Sequence, residues 1–377
     1  MKVFVLGCGE MGEVAIKDLY HHGGFDQIVV GTRSLQKARK VLSTLKGKKA
    51  KVSARRIDVT DAARLTNLMK SADIVVNCVG PNYRYEVPVA KAAIRAKVNL
   101  VDINDDYETT IEMLNLDAKA RKAGIIIILG LGASPGVNNV IARAGASELD
   151  QVEEIHTAWI MSASDPGGLA LSCHLLHSLS GKALTYRDGG LVEVQSFVDG
   201  KERMEFPQPV GAIDVFHVGH PEPITLSRCF EGVKCVDDKA SFNPPLINDV
   251  IRSLGKLVRE DDGPIQVGKT HVRTMDFAAS YLLKKCRSLK GIPKEGALRV
   301  EVKGKMGGKT TKIIYSASGR ITHGTGISAS IGAQMLVEGK VTGTGVQPPE
   351  QCIDPNVFLQ EILSRGIGEL KIDQVIA

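Results

Sequence analysis

At 377 residues, with 43% hydrophobic and 24% charged side chains and a mean hydropathy of -0.01, the chain has the balance of a globular protein large enough for two cores. Its formal charge of +6 is modest, and the basic run at 45–51 reads as solvated loop, which argues against a nucleic-acid partner and mildly favours an anionic small molecule. No apolar run approaches the ~20 residues of a membrane span, the N-terminus lacks a signal-peptide pattern, and seven cysteines without a Cys-x-x-Cys pair read as reduced thiols of a cytoplasmic protein with no membrane partner.

Six apolar runs open the chain, at 2–7, 27–32, 52–59, 72–80, 98–104 and 125–132. Amphipathic stretches at 12–22, 34–45, 61–70, 86–96 and 108–122 separate them. This alternation predicts a Rossmann-type, doubly wound parallel sheet of the α/β class. A helix is expected over 134–150, and from residue 151 the texture changes. Runs at 153–163, 190–198, 203–210, 211–220, 297–306 and 309–318 predict a largely antiparallel sheet, with helices over 167–181 and 246–258. This second part is expected to be an inserted α+β domain. Helices over 326–340 and 354–368, the latter capped by Asp354, are expected to return to the first domain. The boundaries read as 1–150 for dinucleotide binding, 151–322 for substrate binding and dimerisation, and 323–377 for the returning helices.

The turn Gly7-Cys8-Gly9-Glu10-Met11-Gly12 follows a strand and opens a helix. Gly7 permits the turn, Gly9 lets backbone approach a pyrophosphate, and Gly12 lets helix and strand pack closely. The second strand ends in Thr32-Arg33-Ser34, with no acid to hold the adenosine ribose. Two hydroxyls and a guanidinium, with Lys37 one turn later, suit a 2′-phosphate, so NADP is favoured and NAD is the alternative. Asp58 and Val59, at the end of the third strand, are placed to meet the adenine, while Asp61 is expected to cap the next helix. Asn77, Cys78, Val79, Gly80 and Pro81 are expected to form the loop beneath the nicotinamide ribose. No His, Cys or Asp cluster has metal spacing, so no metal is expected.

The stretches "VLGCGEMG", "VVNCVGPNYRYEVPVAKAAIRAKVNLVDIND" and "GLGASPGVNNVIA" together resemble the saccharopine dehydrogenase-like family. The likeness continues through "YRDGGLVEV", "FPQPVGAIDVFHVGHPEPITL", "HGTGISASIGAQMLVEGK" and "GVQPPEQCIDPNVFLQEI". It implies hydride transfer between a nicotinamide and a nitrogen-bearing carbon of an amino acid, as in saccharopine dehydrogenase or lysine 6-dehydrogenase, by a homodimer. A carboxynorspermidine-type polyamine dehydrogenase is the alternative within enzymes; a non-catalytic NADP-binding regulator is the alternative outside them.

Such chemistry needs a held substrate carbon, a cation for the carboxylate and a group that moves a proton on nitrogen. Ligands of a doubly wound sheet sit at the carboxyl ends of its strands, which points to Tyr83, Tyr85, Asp102 and Asn104. Asp102 is either an ammonium ligand or proton relay, or a loop-capping acid. Arg187, Arg228 and Arg273 are each a carboxylate clamp or a plain salt-bridge partner. His220 and Glu222 alternate along an expected strand edge, where His220 is either a proton-handling group or a satisfied structural histidine. Trp159, the only tryptophan, forms a pocket wall or packs a core, and Gly168 opens a helix whose backbone N–H groups can meet substrate.

Overall fold

The computed structural model describes residues 1–258 and 263–376. The first part of the chain runs β1 (Lys2–Leu6), α1 (Glu10–His22), β2 (Gln27–Thr32), α2 (Leu35–Leu42), β3 (Lys51–Arg56) and α3 (Ala62–Met69). It continues with β4 (Ile74–Asn77), α4 (Asn82–Ala96), β5 (Asn99–Asp102), α5 (Tyr107–Leu114), α6 (Asp117–Ala123), β6 (Ile126–Ile128) and α7 (Val137–Ser147). The middle part holds β7 (Gln151–Ser162), α8 (Leu169–Ser178), β8 (Lys182–Arg187), β9 (Gly190–Gln195), β10 (Glu202–Glu205), β11 (Ala212–His217), α9 (Glu222–Cys229) and β12 (Cys235–Asn243). After it come α10 (Leu246–Val258), β13 (Pro264–Val267), β14 (Thr270–Arg273), α11 (Thr274–Ser288), β15 (Gly296–Met306) and β16 (Lys309–Gly319). The chain closes with α12 (Ile321–Val337), β17 (Gly345–Gln347), α13 (Pro349–Cys352), α14 (Pro355–Ser364) and β18 (Leu370–Ile376).

Two compact units result, Met1–Val140 with Thr322–Arg365, and Ile141–Ile321 with the chain from Gly366. The first unit is built on a parallel sheet in the order β17-β6-β5-β4-β1-β2-β3, the doubly wound arrangement expected from the alternating pattern. Its inner strands are apolar on both faces because helices cover both, so Val3, Val5, Ile74, Val76 and Val101 are fully buried. The seventh strand, β17, was not expected: it is three residues long and bounded by glycine, too short for a period to register.

The second unit is built on the order β10-β11-β12-β7-β15-β16-β18, with β8 paired to β12 and β9 paired to β8. All its pairings are antiparallel except β12 with β7. Three features depart from the expected pattern. Cys235–Asn243 is a central strand although it carries Asp237, Asp238 and Lys239, because each charge finds a partner on its own face of the sheet. Glu222 starts helix α9 and His220 lies in the loop before it, so the two do not alternate on a strand; Pro221 and Pro223 favour a helix start instead. The chain beyond Arg365 leaves the first unit, since Gly366 and Gly368, both with φ near +70°, turn it into β18 against β16. No helix among the described residues is long and apolar enough to cross a membrane.

Candidate active site

In the first unit, β1 ends at Leu6 and α1 begins at Glu10, so Gly7 to Gly9 make the turn. Gly7 has φ +89°, and a Cβ there would lie 2.6 Å from the Cys78 carbonyl oxygen. A Cβ on Gly12 would lie 2.5 Å from the Gly7 carbonyl oxygen. Both obstacles are backbone and cannot give way. Around Gly9 nothing lies within 4 Å of the Cβ position, and Gly9 caps α1 with no side-chain hydrogen bond. The turn therefore joins an uncapped helix start to open space at a residue without a side chain, which is the cradle a pyrophosphate fits.

The end of β2 is shaped by hydroxyls. Thr32 Oγ1 accepts from the Cys8 thiol at 3.3 Å and from Ser34 N at 3.2 Å. Ser34 Oγ accepts from Lys37 N at 3.3 Å and caps α2. Arg33 and Lys37 stand exposed beside them. Asp58 accepts from Thr60 N at 3.0 Å and Thr60 Oγ1 at 2.8 Å, and these bonds, with the Arg33 charge, hold its carboxyl below the usual range. Asp61 accepts from Arg64 N at 3.0 Å and caps α3, as its position predicted. The Val59 side chain is a correction: it packs into the core with Ile57 and Leu65, so it supplies packing rather than a nucleotide contact.

At the carboxyl edge, β4 and β5 end in register at Asn77 and Asp102. Asn77 Oδ1 accepts from Val79 N at 3.2 Å, and Asn77 Nδ2 donates to Glu86 Oε2 at 2.7 Å, tying the loop that runs through Cys78, Gly80 and Pro81 to α4. Asp102 Oδ1 accepts from Asn104 N at 2.9 Å and Gly130 N at 2.8 Å. Glu86 and Asp102 are both fully buried and interact with each other. Burial first, then the neighbouring acid, pushes Glu86 well above its ordinary value; burial lifts Asp102 to about 7 against two backbone donors. The same burial and the two acids push the Cys78 thiol up to about 12.

Three expectations change here. Helix α4 begins at Asn82, four residues before its predicted start, so Tyr83 and Tyr85 are helical rather than loop residues. Tyr85 packs against the core of the unit. Asn104 is wholly buried and donates to Thr110 Oγ1 at 2.8 Å and to the Asp106 carbonyl at 3.2 Å, while its Oδ1 accepts from Asp106 N at 3.4 Å. Its amide is satisfied inside its own loop, which makes it a structural residue and removes it from the substrate ligands.

In the second unit, Asp237 and Asp238 face opposite sides of the sheet, as consecutive strand residues must. On one side Asp238 accepts from Thr157 Oγ1 at 2.6 Å and Trp159 Nε1 at 3.0 Å. The Trp159 ring stacks on His220, centroids 4.9 Å apart. His220 Nδ1 lies 3.6 Å from both Glu222 Oε2 and Asp238 Oδ2, and its Nε2 is 3.3 Å from His174 Nε2. His220, Glu222 and Asp238 are all buried, and that burial, with the Glu222 charge, raises Asp238 well above the carboxylate range. The cluster is built to hold a positive charge or a proton. Trp159 thereby joins the cluster, and Gly168 caps α8 with nothing within 4 Å of its Cβ position.

On the opposite side Arg187 donates to Asp237 Oδ2 at 3.0 Å, and His156 Nδ1 meets Asp237 Oδ1 at 2.9 Å. These residues line a cavity of about 480 Å³ with Glu154, Lys239, Arg299 and Glu301. Arg187 and His220 therefore lie on opposite faces of the sheet and cannot grip one substrate together within this unit. Arg228 sits exposed in the last turn of α9, and Arg273 exposed at the start of α11. None of the three predicted arginines joins the His220 cluster. The residues that do, Asp238, Thr157 and His174, were not among those expected at the site. Glu86 was missed too, although an acid one turn into a helix among apolar neighbours is the signal that would have found it.

Known proteins show the same organisation. The saccharopine dehydrogenase NADP binding domain family matches residues 3–128, and the saccharopine dehydrogenase C-terminal domain family matches residues 132–367. Carboxynorspermidine synthase of Vibrio cholerae is 25% identical across 98% of this chain and 96% of its own length. Carboxyaminopropylagmatine dehydrogenase of Synechocystis is 22% identical across 97% and 96%. The structure of apo saccharopine dehydrogenase (L-Glu forming) from Saccharomyces cerevisiae superposes with a TM-score of 0.71 at 16% identity, covering 99% of each chain, and so shares the fold.

Proposed function

We propose a substrate class and residue roles from one premise: the chain belongs to the saccharopine dehydrogenase family and is an NADP-dependent oxidoreductase acting on the CH–NH group of an amino acid. The proposed substrate is a secondary amine that joins an amino-acid skeleton to a polyamine. Supporting this choice, the two relatives matched along nearly the whole chain are named for carboxylated amines of that kind. The buried acids Glu222 and Asp238 beside His220 are consistent with a substrate rich in positive charge.

Bound NADP supplies the hydride acceptor. Around it, Gly7, Gly9 and Gly12 make room for the pyrophosphate, Arg33 and Lys37 meet the 2′-phosphate with Thr32 and Ser34 shaping the turn, and Asn77 orders the loop expected under the ribose. Asp102 takes the proton that the substrate nitrogen must lose; in the second unit, taken by itself, His220 with Glu222 is the group suited to hold an amine. Saccharopine and lysine are the second and third substrates to weigh. Seven cysteines without a Cys-x-x-Cys pair agree with a reducing cytoplasm, and the family resemblance with a homodimer.

The test follows absorbance of the reduced nicotinamide with carboxynorspermidine, saccharopine and lysine. Turnover with carboxynorspermidine at a kcat/KM at least about tenfold above the other two is the expected result. Preference for saccharopine or lysine replaces the substrate class. NADP binding with no turnover on any of the three points to a regulator.

A further inference from the structure

Glu86 has no role in the nucleotide cradle and is not a surface residue: it is fully buried at the first turns of α4, against the ends of β4 and β5. One of its oxygens, Oε2, accepts from Asn77. One oxygen of Asp102, Oδ1, accepts from the backbone of Asn104 and Gly130. The remaining oxygens, Glu86 Oε1 and Asp102 Oδ2, have no donor among the described residues, and neither carboxyl has an ion-pair partner there. The two side chains nevertheless sit within hydrogen-bonding reach of each other. Two buried carboxylates without a cation cannot both stay ionised, and one proton held between them supplies the hydrogen bond that joins the two side chains.

We propose that Glu86 is a positioning residue for Asp102: the two carboxyls share one proton, and the pair, rather than Asp102 alone, is the proton-exchanging unit at the carboxyl edge of the first sheet. This deepens the role given to Asp102 in the proposed reaction and rests on that reading for its use, though not for its existence. The other titratable groups acting on the pair are Asp105, which adds like charge, and Cys78, whose thiol stays protonated beside it. Titration of such a pair belongs to both members. Because Asn77 also hangs on Glu86, the charge state of the pair and the order of the loop after β4 are linked through one side chain.

The experiment is an infrared titration of the NADP-loaded protein, reading the carbonyl stretch of buried protonated carboxyls, in the wild type, Glu86→Gln and Asp102→Asn. Each variant keeps the shape and one carboxyl. A shared proton predicts that the surviving carboxyl in either variant ionises about 1 pH unit or more below the higher midpoint of the pair in the wild type, read as the carboxyl band that both substitutions alter and that is distinct from the unaltered band of Asp238, because its like-charged neighbour is gone. The kcat/KM profile of Glu86→Gln should shift its limb in the same direction. Unchanged infrared midpoints in both variants mean that burial alone sets them, and overturn the pairing. Shifted midpoints with no turnover on any amine leave the pair standing and remove the substrate reading.

Discussion

Arg33 is exposed at the end of β2, between two hydroxyl residues whose oxygens are already committed to the turn and to the start of α2. Its guanidinium is thus the group available for a 2′-phosphate, and charge-assisted hydrogen bonds of this kind contribute about 1.5–3 kcal/mol. Arg33→Ala should weaken NADP by roughly 10- to 100-fold while leaving NAD within about twofold, measured by fluorescence titration of the reduced cofactors. Equal losses for both nucleotides would remove the phosphate contact. The exposed setting of Arg33 was readable in the sequence because it depends on the two hydroxyl residues beside it in the chain. Asn104 was not: at the tip of β5 it looks available, and only the fold of residues 104–110 shows its amide closed upon Thr110 and Asp106. Asp238 is the opposite case, the middle of three consecutive ionisable residues, whose value comes from Thr157 and Trp159, 81 and 79 positions away.

The β1–α1 turn separates two kinds of glycine that a sequence pattern treats alike. Gly12→Ala drives a Cβ toward the Gly7 carbonyl and should cost about 1–3 kcal/mol of stability as well as nucleotide affinity. Gly9→Ala meets open space and keeps a backbone suited to alanine, φ −68° and ψ −170°. It should change stability by less than about 0.5 kcal/mol while still obstructing the pyrophosphate. Urea unfolding and NADPH titration of both variants decide this; a Gly9 variant that binds normally would place the phosphates elsewhere. Long periodic elements such as β1, β2 and α10 were legible from hydrophobic spacing. Strand β12 and helix α9 were not, since one hides three charges in a central strand and the other follows an apolar run that mimics a longer strand.

The molecule as a whole carries several buried acids with raised pKa values, and their sum has a sign. Asp102 ionises near 3.8 in an unfolded chain and about 7 in the folded one, and Glu86 and Asp238 are raised as well. The folded state binds more protons across that window, so the stability that Asp102 confers is complete below about pH 4 and is lost as pH rises through 7, and Glu86 and Asp238 act in the same direction. Asp237 works in the other sense, because His156 and Arg187 hold the aspartate below its ordinary range and its contribution disappears only in acid; His156, raised by the same contact, loses its contribution as pH rises, in step with the raised acids. Stability should therefore fall from pH 5 to pH 8, by up to about 1.4 kcal/mol per pH unit for each raised acid, in urea denaturation. Asp102→Asn should flatten the slope. A stability that climbs across this range would show that these carboxyls are ionised and matched in the folded chain.

Chemistry that depends on neighbours along the chain was open to reading without coordinates: the glycine turn, the Thr32-Arg33-Ser34 end of β2, the Asp61 cap and the alternation that yields a parallel sheet. The carboxyl pair of Glu86 and Asp102, the His220 cluster and the removal of Arg187 to the other side of the second sheet came from folding alone. The reason is geometric. Side chains on a strand alternate between faces, so the strand's register against its neighbours decides which distant residues meet. Pairing Asp237 with His156 and Asp238 with Thr157 sorts two adjacent aspartates into a salt-bridged cavity wall and a buried acid beside a histidine.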